Sequence, residues 1–216
     1  MDAVIEALPL YWEGFRTTLA LTLLSAVIAL VAGTVLAAFR VSPVAPLRWF
    51  GTTYVELIRN TPLTLVFIFF VFVAPQLGYV PESFFPPAVI ALSVYTAAFV
   101  CEAVRSGINS VGVGQAEAAR AVGLTFTQSL RVVILPQAIR TVVPPLINIF
   151  IALTKNSSVA GGFLVVELFG VARRLPTTFP ADIIPVLMGV GVFYLIITIP
   201  AGILAGRVER RVAFAR

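Results

Sequence analysis

The chain has 216 residues, of which 59% are hydrophobic and 12% are charged, and its formal net charge is +5. Soluble domains carry about 25% charged residues, so this composition excludes an ordinary water-soluble globule and indicates a protein surrounded by lipid. In a soluble protein the basic excess would suggest a nucleic-acid partner, but here the basic residues lie between apolar runs and set orientation in a membrane. The chain has no histidine, which argues against an enzyme because histidine is the commonest general base and metal ligand.

Five segments are long and apolar enough to cross a bilayer, whose hydrocarbon core of about 30 Å requires about 20 helical residues. In chain order they are residues 17–39, 62–80, 84–107, 142–162 and 183–206. The length permits one compact unit. The sequence therefore predicts a single all-α membrane domain over residues 1–216, with five transmembrane helices.

The basic residues of the connections predict how these helices are threaded. Arg16, Arg173 and Arg174 fall on one side of the membrane, and Lys155 lies inside the fourth span. Threaded alternately, five helices bring eleven arginines to the other side: Arg40, Arg48, Arg59, Arg105, Arg120, Arg131, Arg140, Arg207, Arg210, Arg211 and Arg216. Because Lys and Arg concentrate in cytoplasmic loops, the sequence predicts an external N-terminus and a cytoplasmic C-terminus.

The connection between the third and fourth spans, residues 106–140, is too long for a plain turn. Residues 115–122 are rich in alanine, and Gly114 and Gly123 border them as helix breakers. Pro136 can begin the next helix. The pattern predicts a short helix held flat on the cytoplasmic face, where it offers a docking surface to another protein.

This connection also carries a set of residues at fixed spacing: Glu117-Ala118-Ala119, then Gly123, then Leu135-Pro136. The set resembles the EAA loop of ABC-importer permeases, although Val133 stands where the family has isoleucine. The resemblance implies a coupling helix that enters a groove on a cytoplasmic ATPase. Small side chains at 118 and 119 allow close approach, and Gly123 lets the chain turn away. The alternative interpretation is a surface amphipathic helix with no special role.

Three longer stretches are similar to the permeases of polar amino-acid importers: residues 56–63 before the second span, 95–108 in the third, and 135–148 at the start of the fourth. Four shorter stretches are similar to actinobacterial glutamate permeases: residues 40–44, 107–110, 114–117 and 152–156. The resemblance covers nearly the whole chain and implies the fold of a type I ABC-importer permease.

The resemblance further implies an assembly in a bacterial inner membrane. The permease would pair with an identical or sister permease, with two cytoplasmic ATPase subunits and with an extracytoplasmic substrate-binding protein. ATP and magnesium belong to the ATPase, because this chain has no Gly-x-x-x-x-Gly-Lys-Ser/Thr loop, and no cofactor, catalytic residue or metal ligand is predicted in it. Gly202 and Gly206 form a small-xxx-small pair that could pack two permeases, although such pairs also arise by chance in apolar helices.

Lys155 lies roughly 20 Å along the fourth span at 1.5 Å per residue. A buried cation in lipid is costly, so it should face the bundle interior or water. It is interpreted either as a substrate-pathway residue or as a structural partner of Glu102, Glu167 or helix carbonyls. Glu102 itself belongs to the candidate pathway, but an ion pair with Arg105, one turn away, is its favoured role.

The residues after Lys155, namely Asn156, Ser157 and Ser158, can bind a polar solute or satisfy the backbone at a kink. A cation beside a neutral Asn156 suits an anionic cargo, so the sequence predicts import of an acidic amino acid, glutamate first. The nearest alternatives are glutamine, arginine, histidine or cystine. A more distant alternative is a five-span membrane protein with no transport role, either an enzyme or a scaffold.

Overall fold

The computed structural model of the protein describes residues 2–213 and, within that range, contains helices and no strand. Arg216, one of the arginines that the sequence assigns to the cytoplasm, lies outside the described residues. The helices are α1 (Asp2–Glu6), α2 (Leu8–Val41), α3 (Ala45–Arg59), α4 (Leu63–Gln76), α5 (Phe85–Asn109), α6 (Val113–Ala121), α7 (Phe126–Gly162), α8 (Leu168–Thr178) and α9 (Ile183–Ala213).

Four of these helices, α2, α5, α7 and α9, are long and apolar enough to cross a membrane. Helices α3 and α4 meet at a bend of 105°, and the pair adds a fifth span if it crosses as one broken helix. The all-α membrane fold is therefore confirmed, with four or five candidate spans.

The second predicted span, residues 62–80, differs most from the observed structure. Helix α4 ends at Gln76 and alone is too short for a core of about 30 Å. Helix α3 lies where the sequence predicts a connection between the first two spans. It was not predicted because its charged residues interrupt the apolar pattern. The Thr61 hydroxyl donates to the Leu57 carbonyl at 2.8 Å and so closes α3. Pro62 then separates the two helices, since proline offers no N–H to continue the ladder.

Helix α7 begins at Phe126, well before the predicted start of the fourth span. A capping box starts it: the Gln128 N–H donates to the Thr125 hydroxyl at 3.3 Å, and the Thr125 N–H donates to the Gln128 side chain at 2.9 Å. A π-helical turn, Ser129–Ile134, follows and precedes Pro136. The predicted fourth span, residues 142–162, is thus the second part of one long helix whose first part precedes the apolar region.

Helix α5 is the centre of the bundle. In its most apolar stretch 67% of the residues are buried, against 11% in α7 and 11% in α9. Small residues let α2 approach it closely: a Cβ on Gly33 would lie 2.6 Å from Val100 Cβ. Because lipid supplies no hydrophobic driving force between helices, this close packing holds α2 and α5 together. The exposed apolar sides of α7 and α9 are left for lipid or another subunit.

Helix α8 has no counterpart among the predicted elements. Its apolar residues Leu168, Val171 and Leu175 are buried, and a Cβ on Gly14 of α2 would lie 2.8 Å from Val171 Cγ2. The other end of α2 carries Arg40, which contacts Glu102 near the end of α5, just before α6. Helices α6 and α8 therefore lie at opposite ends of the bundle.

Candidate functional site

Helix α6 falls within two residues of the short helix predicted over residues 115–122. Glu117 and Ala118 are exposed, whereas Ala119 is buried. Gly123 has a φ of +85°, in the left-handed region that favours glycine, and turns the chain away from α6. The Gln137 side chain donates to that of Gln115 at 3.4 Å, which ties α6 to α7.

Large apolar side chains at and beside the ends of α6 are exposed. Val113 is 73% exposed, Val122 77%, Phe126 70% and Val132 69%. Leu135 and Pro136, the other residues of the EAA-like set, are also exposed and lie at the end of the π-helical turn. Exposed apolar side chains clustered along the chain beside charged residues are typical of a site that binds another protein. We call this surface, α6 with Val113, Val122, Phe126 and Val132, the loop surface.

Glu102 lies in the last turns of α5, before α6, and three guanidinium groups contact its carboxylate. Arg40 donates to Oε1, Arg105 Nη2 lies 3.2 Å from Oε2, and Arg59 Nη1 lies 3.8 Å from Oε1. Arg59 also stacks over the Phe99 ring at 5.6 Å. The predicted Glu102–Arg105 ion pair is confirmed, and the cluster joins α2, α3 and α5. Arg40 and Arg59 were missed, although both belong to the basic side on which the sequence places the end of the third span.

The Lys155 segment lies at a distance from that cluster. Lys155 is exposed on α7, and the ion pairs found within the described residues all involve Glu102. The structure therefore gives no support to pairing of Lys155 with Glu102 or Glu167. Its ammonium group points away from the packed interior of the single chain, while Thr154 and Ser157 on the same turn are buried.

The hydroxyls near Lys155 return to their own helix. Ser157 donates to the Thr154 carbonyl at 2.8 Å, and Ser158 donates to the Lys155 carbonyl at 2.7 Å. A short break at Ser157 interrupts α7 here, so both serines satisfy backbone acceptors at a kink. Each hydroxyl oxygen still has lone pairs that can accept a hydrogen bond, and Asn156 is half-buried beside them.

One face of α7 is exposed from its middle to this segment. Pro145, Asn148, Ala152 and Lys155 recur at intervals of three and four residues, and all four are exposed. The Asn148 amide donates to Glu209 of α9 at 3.2 Å. We call these four residues the polar face of α7 after Asn148 and Lys155, whose side chains suit a water-filled passage or a second protein chain, because polar groups at membrane depth face water or protein.

Glu167 is the buried acid that sequence reasoning did not resolve. It is fully buried and caps α8 by accepting from the Gly170 N–H at 2.7 Å. Its carboxylate also accepts from Tyr194 at 2.7 Å and from Thr18 at 3.5 Å, which joins α8 to α9 and α2. Burial raises the pKa of the Glu167 carboxyl, and the donated hydrogen bonds offset part of that rise. Glutamate is not among the favoured capping residues, so no local signal marks this site.

Comparison with known proteins adds to this geometry. The family described as "Binding-protein-dependent transport system inner membrane component" matches residues 25–214. The "Probable glutamine ABC transporter permease protein GlnM" of Bacillus subtilis (strain 168) is 40% identical over 98% of this chain and 97% of its own length. The "Glutamate transport system permease protein GluC" of Corynebacterium glutamicum is 39% identical over 95% of this chain and 93% of its own length.

Solved structures show the same fold. A crystal structure of an amino acid ABC transporter with histidines superposes with a TM-score of 0.88 at 30% identity, covering 96% of each chain. An inward-facing form of the MetNI methionine ABC transporter gives a TM-score of 0.77 at 22% identity, over 96% of this chain and 98% of the other. At that lower identity the second likeness speaks for the fold alone.

Proposed function

This chain belongs to the family of binding-protein-dependent transport system inner membrane components, and on that premise we propose that it forms the membrane pathway of a glutamate importer. It is the permease subunit of an amino-acid ABC importer. The identity of the cargo, the surface that contacts the ATPase and the number of subunits in the complex are proposals.

Lys155 carries the proposal of an acidic cargo. It is an exposed cation in the last turns of a membrane helix, with no carboxylate within 4 Å among the described residues. A lysine costs about 2.5–3.5 kcal/mol at the centre of a span on insertion scales and less toward the helix end where Lys155 lies, and a passing carboxylate offsets part of that cost. Asn156 adds no negative charge that would repel an anion.

Glutamine is the second candidate, because a relative that is 40% identical is named as a glutamine permease. Glutamine shares the zwitterionic backbone of glutamate and has nearly the same size. It lacks the side-chain carboxylate that Lys155 would attract, so the two cargoes are separated by charge alone. Glutamate is preferred here for that reason.

The loop surface is proposed as the contact with the ATPase. Its exposed valines and Phe126 would be covered by a groove of the partner, and Glu117, Ala118 and Ala119 would enter that groove on α6. Gln115 and Gln137 link α6 to α7, so movement of the ATPase would reach the helix that carries Lys155. Two ATPase subunits, which bind ATP and magnesium, would serve two permeases.

A second permease, identical or sister, is proposed to face α7 and α9. The polar face of α7 would then line a passage between the two chains. Gly202 is exposed on α9 and has no atom within 4 Å of the position of a Cβ, so a neighbouring helix can approach it closely. The arginine distribution supports a cytoplasmic α6 and an external α8, and a binding protein would deliver the substrate at the external end.

Labelled uptake by the reconstituted complex tests the cargo. Permease, ATPase and binding protein are placed in proteoliposomes with internal ATP, and initial rates are measured for glutamate and for glutamine. ATP-dependent uptake of glutamate supports the proposal. Uptake of glutamine with none of glutamate would replace glutamate by the second candidate.

A further inference from the structure

A cavity lies between the last turn of α7 and helix α8, at the end of the bundle opposite α6. Its volume is ≈ 260 Å³, and its lining includes Gly161, Leu164, Gly170, Arg173 and Arg174. The lining contains no acidic side chain. In the orientation proposed above this cavity opens to the outside, where arginine is disfavoured by the positive-inside rule. Two adjacent arginines at this place therefore call for an explanation.

Neither arginine has a carboxylate partner within the part of the chain that the structure describes, where the ion pairs all belong to Glu102. Arg173 Nη1 donates to the Gly161 carbonyl at 2.8 Å, which uses one of its five N–H groups. Arg174 is exposed. Both guanidinium groups retain donors that can form the paired hydrogen bonds that carboxylates accept from arginine.

The backbone around the cavity is tightly fixed. A Cβ on Gly170 would lie 2.2 Å from the Val165 carbonyl oxygen, and one on Gly161 would lie 2.6 Å from the Gly170 nitrogen. Leu164 has a positive φ of 66°, which is uncommon for a residue with a side chain. The buried Glu167 caps α8 from below. The two arginines thus stand on a helix whose position is set before any ligand arrives, which lowers the ordering cost of binding.

The cavity lies just beyond the Lys155 segment along the chain. Gly161, which lines it, follows Lys155 by less than two helical turns, roughly 9 Å along the axis. We propose that Arg173 and Arg174 form an external reception site that takes the side-chain carboxylate of an acidic amino acid before it reaches Lys155. This inference rests on the proposed glutamate transport and deepens it by naming residues that select the cargo at the outer face.

Uptake by the full complex in proteoliposomes tests the site, with Arg174→Gln and Arg173→Gln as variants and Arg16→Gln as the matched control. Arg16 is another exposed arginine of the same face and lies outside this cavity. We expect each cavity variant to lower glutamate uptake about tenfold, as the loss of about 1.4 kcal/mol would do. Arg174→Lys keeps the charge but cannot form the paired hydrogen bonds, so it should recover only part of the rate. Arg16→Gln should behave as the wild type.

Two further measurements separate this site from other uses of the same charges. Affinity of the substrate-free binding protein for the proteoliposomes should be unchanged in Arg174→Gln. A loss of that affinity matching the loss of uptake would make the arginines a docking surface and overturn the proposal. The defect should also be equal in neutral phosphatidylcholine vesicles and in vesicles containing phosphatidylglycerol. A defect confined to the anionic vesicles would assign the arginines to lipid phosphate instead.

The wild-type result distinguishes failure of this inference from failure of the proposed function. If the wild-type complex carries no glutamate, the proposed cargo is wrong before any variant is measured. If the wild type carries glutamate and both cavity variants do so at the same rate, the cargo stands and the reception site is refuted.

Discussion

Replacement of Lys155 by methionine is the most direct test of the cargo. Methionine keeps the length of the side chain and removes its charge. Lys155 is exposed and makes no ion pair within the described residues, so the substitution breaks no salt bridge of the folded chain. It should also ease membrane insertion, because a charged lysine within a span is unfavourable on insertion scales. Any loss of uptake would therefore not arise from a loss of stability.

The expected magnitude follows from the charge pair that glutamate would make. Two unit charges about 4 Å apart gain about 4 kcal/mol at an effective dielectric constant of about 20. Water in the passage screens this, and a remaining contribution of about 1.4 kcal/mol corresponds to a tenfold change. We therefore expect Lys155→Met to lower glutamate uptake by roughly tenfold or more, with glutamine uptake affected much less.

The assay compares initial uptake, complex assembly and basal ATP hydrolysis in the same preparation. Lys155→Arg is the matched control, because it retains the positive charge. Asn156→Asp provides an independent perturbation, since it places a like charge beside the path and should weaken glutamate transport selectively. Wild-type glutamate uptake in both Lys155→Met and Asn156→Asp would show that this segment is structural and that cargo is selected elsewhere.

Four further predictions concern coupling, packing and topology. Glu117→Lys or Gly123→Asp should abolish uptake while the protein stays in the membrane. The first reverses a charge on α6, and the second strains a left-handed turn. Substrate-stimulated ATP hydrolysis at the normal level in both variants would contradict the coupling role. Glu167→Ala should destabilise the chain by about 3 kcal/mol in a thermal-unfolding assay, since it leaves the Gly170 N–H and the Tyr194 hydroxyl without an acceptor. Glu167→Gln keeps an acceptor oxygen and should cost less. Equal losses of stability in the two variants would refute this account. Glu102→Gln should lower stability by about 2 kcal/mol, because three arginines lose their shared carboxylate; an unchanged unfolding temperature would show that the cluster is not structural. A reporter at the C-terminus should be active in the cytoplasm and one inserted within residues 77–82 outside; activity of both in the same compartment would refute the proposed orientation.

The sequence was informative where the signal is local. Alanines between two glycines predicted α6 to within two residues of its observed bounds, and long apolar runs predicted the cores of α2, α5, α7 and α9. The Glu102–Arg105 pair was predictable because residues three apart face each other on a helix.

Contacts between distant parts of the chain were not predictable in this way. The carboxylate of Glu167 meets the hydroxyl of Thr18, 149 positions away, and Glu102 meets Arg40, 62 positions away. Neither pairing leaves a periodic trace in the sequence. Helix α8 was missed because it has only 11 residues, and the pair Arg173-Arg174 and then Pro176 interrupt its apolar residues. The bend between α3 and α4 was missed because hydropathy shows where apolar residues lie along the chain. It carries no information on the direction that the chain takes after Pro62.

The length of α7 has a mechanical consequence. At 37 residues it extends about 55 Å, from the loop surface to the turn after Lys155. A helix of that length behaves as a lever, so a tilt of about 5° at one end displaces the other by about 5 Å. The π-helical turn and the prolines Pro144 and Pro145 are the places where such a lever can flex. A displacement applied at the end near α6 would then be divided between rigid rotation and bending. If α6 couples to an ATPase as proposed, stiffening these joints would change the ratio of cargo moved to ATP consumed.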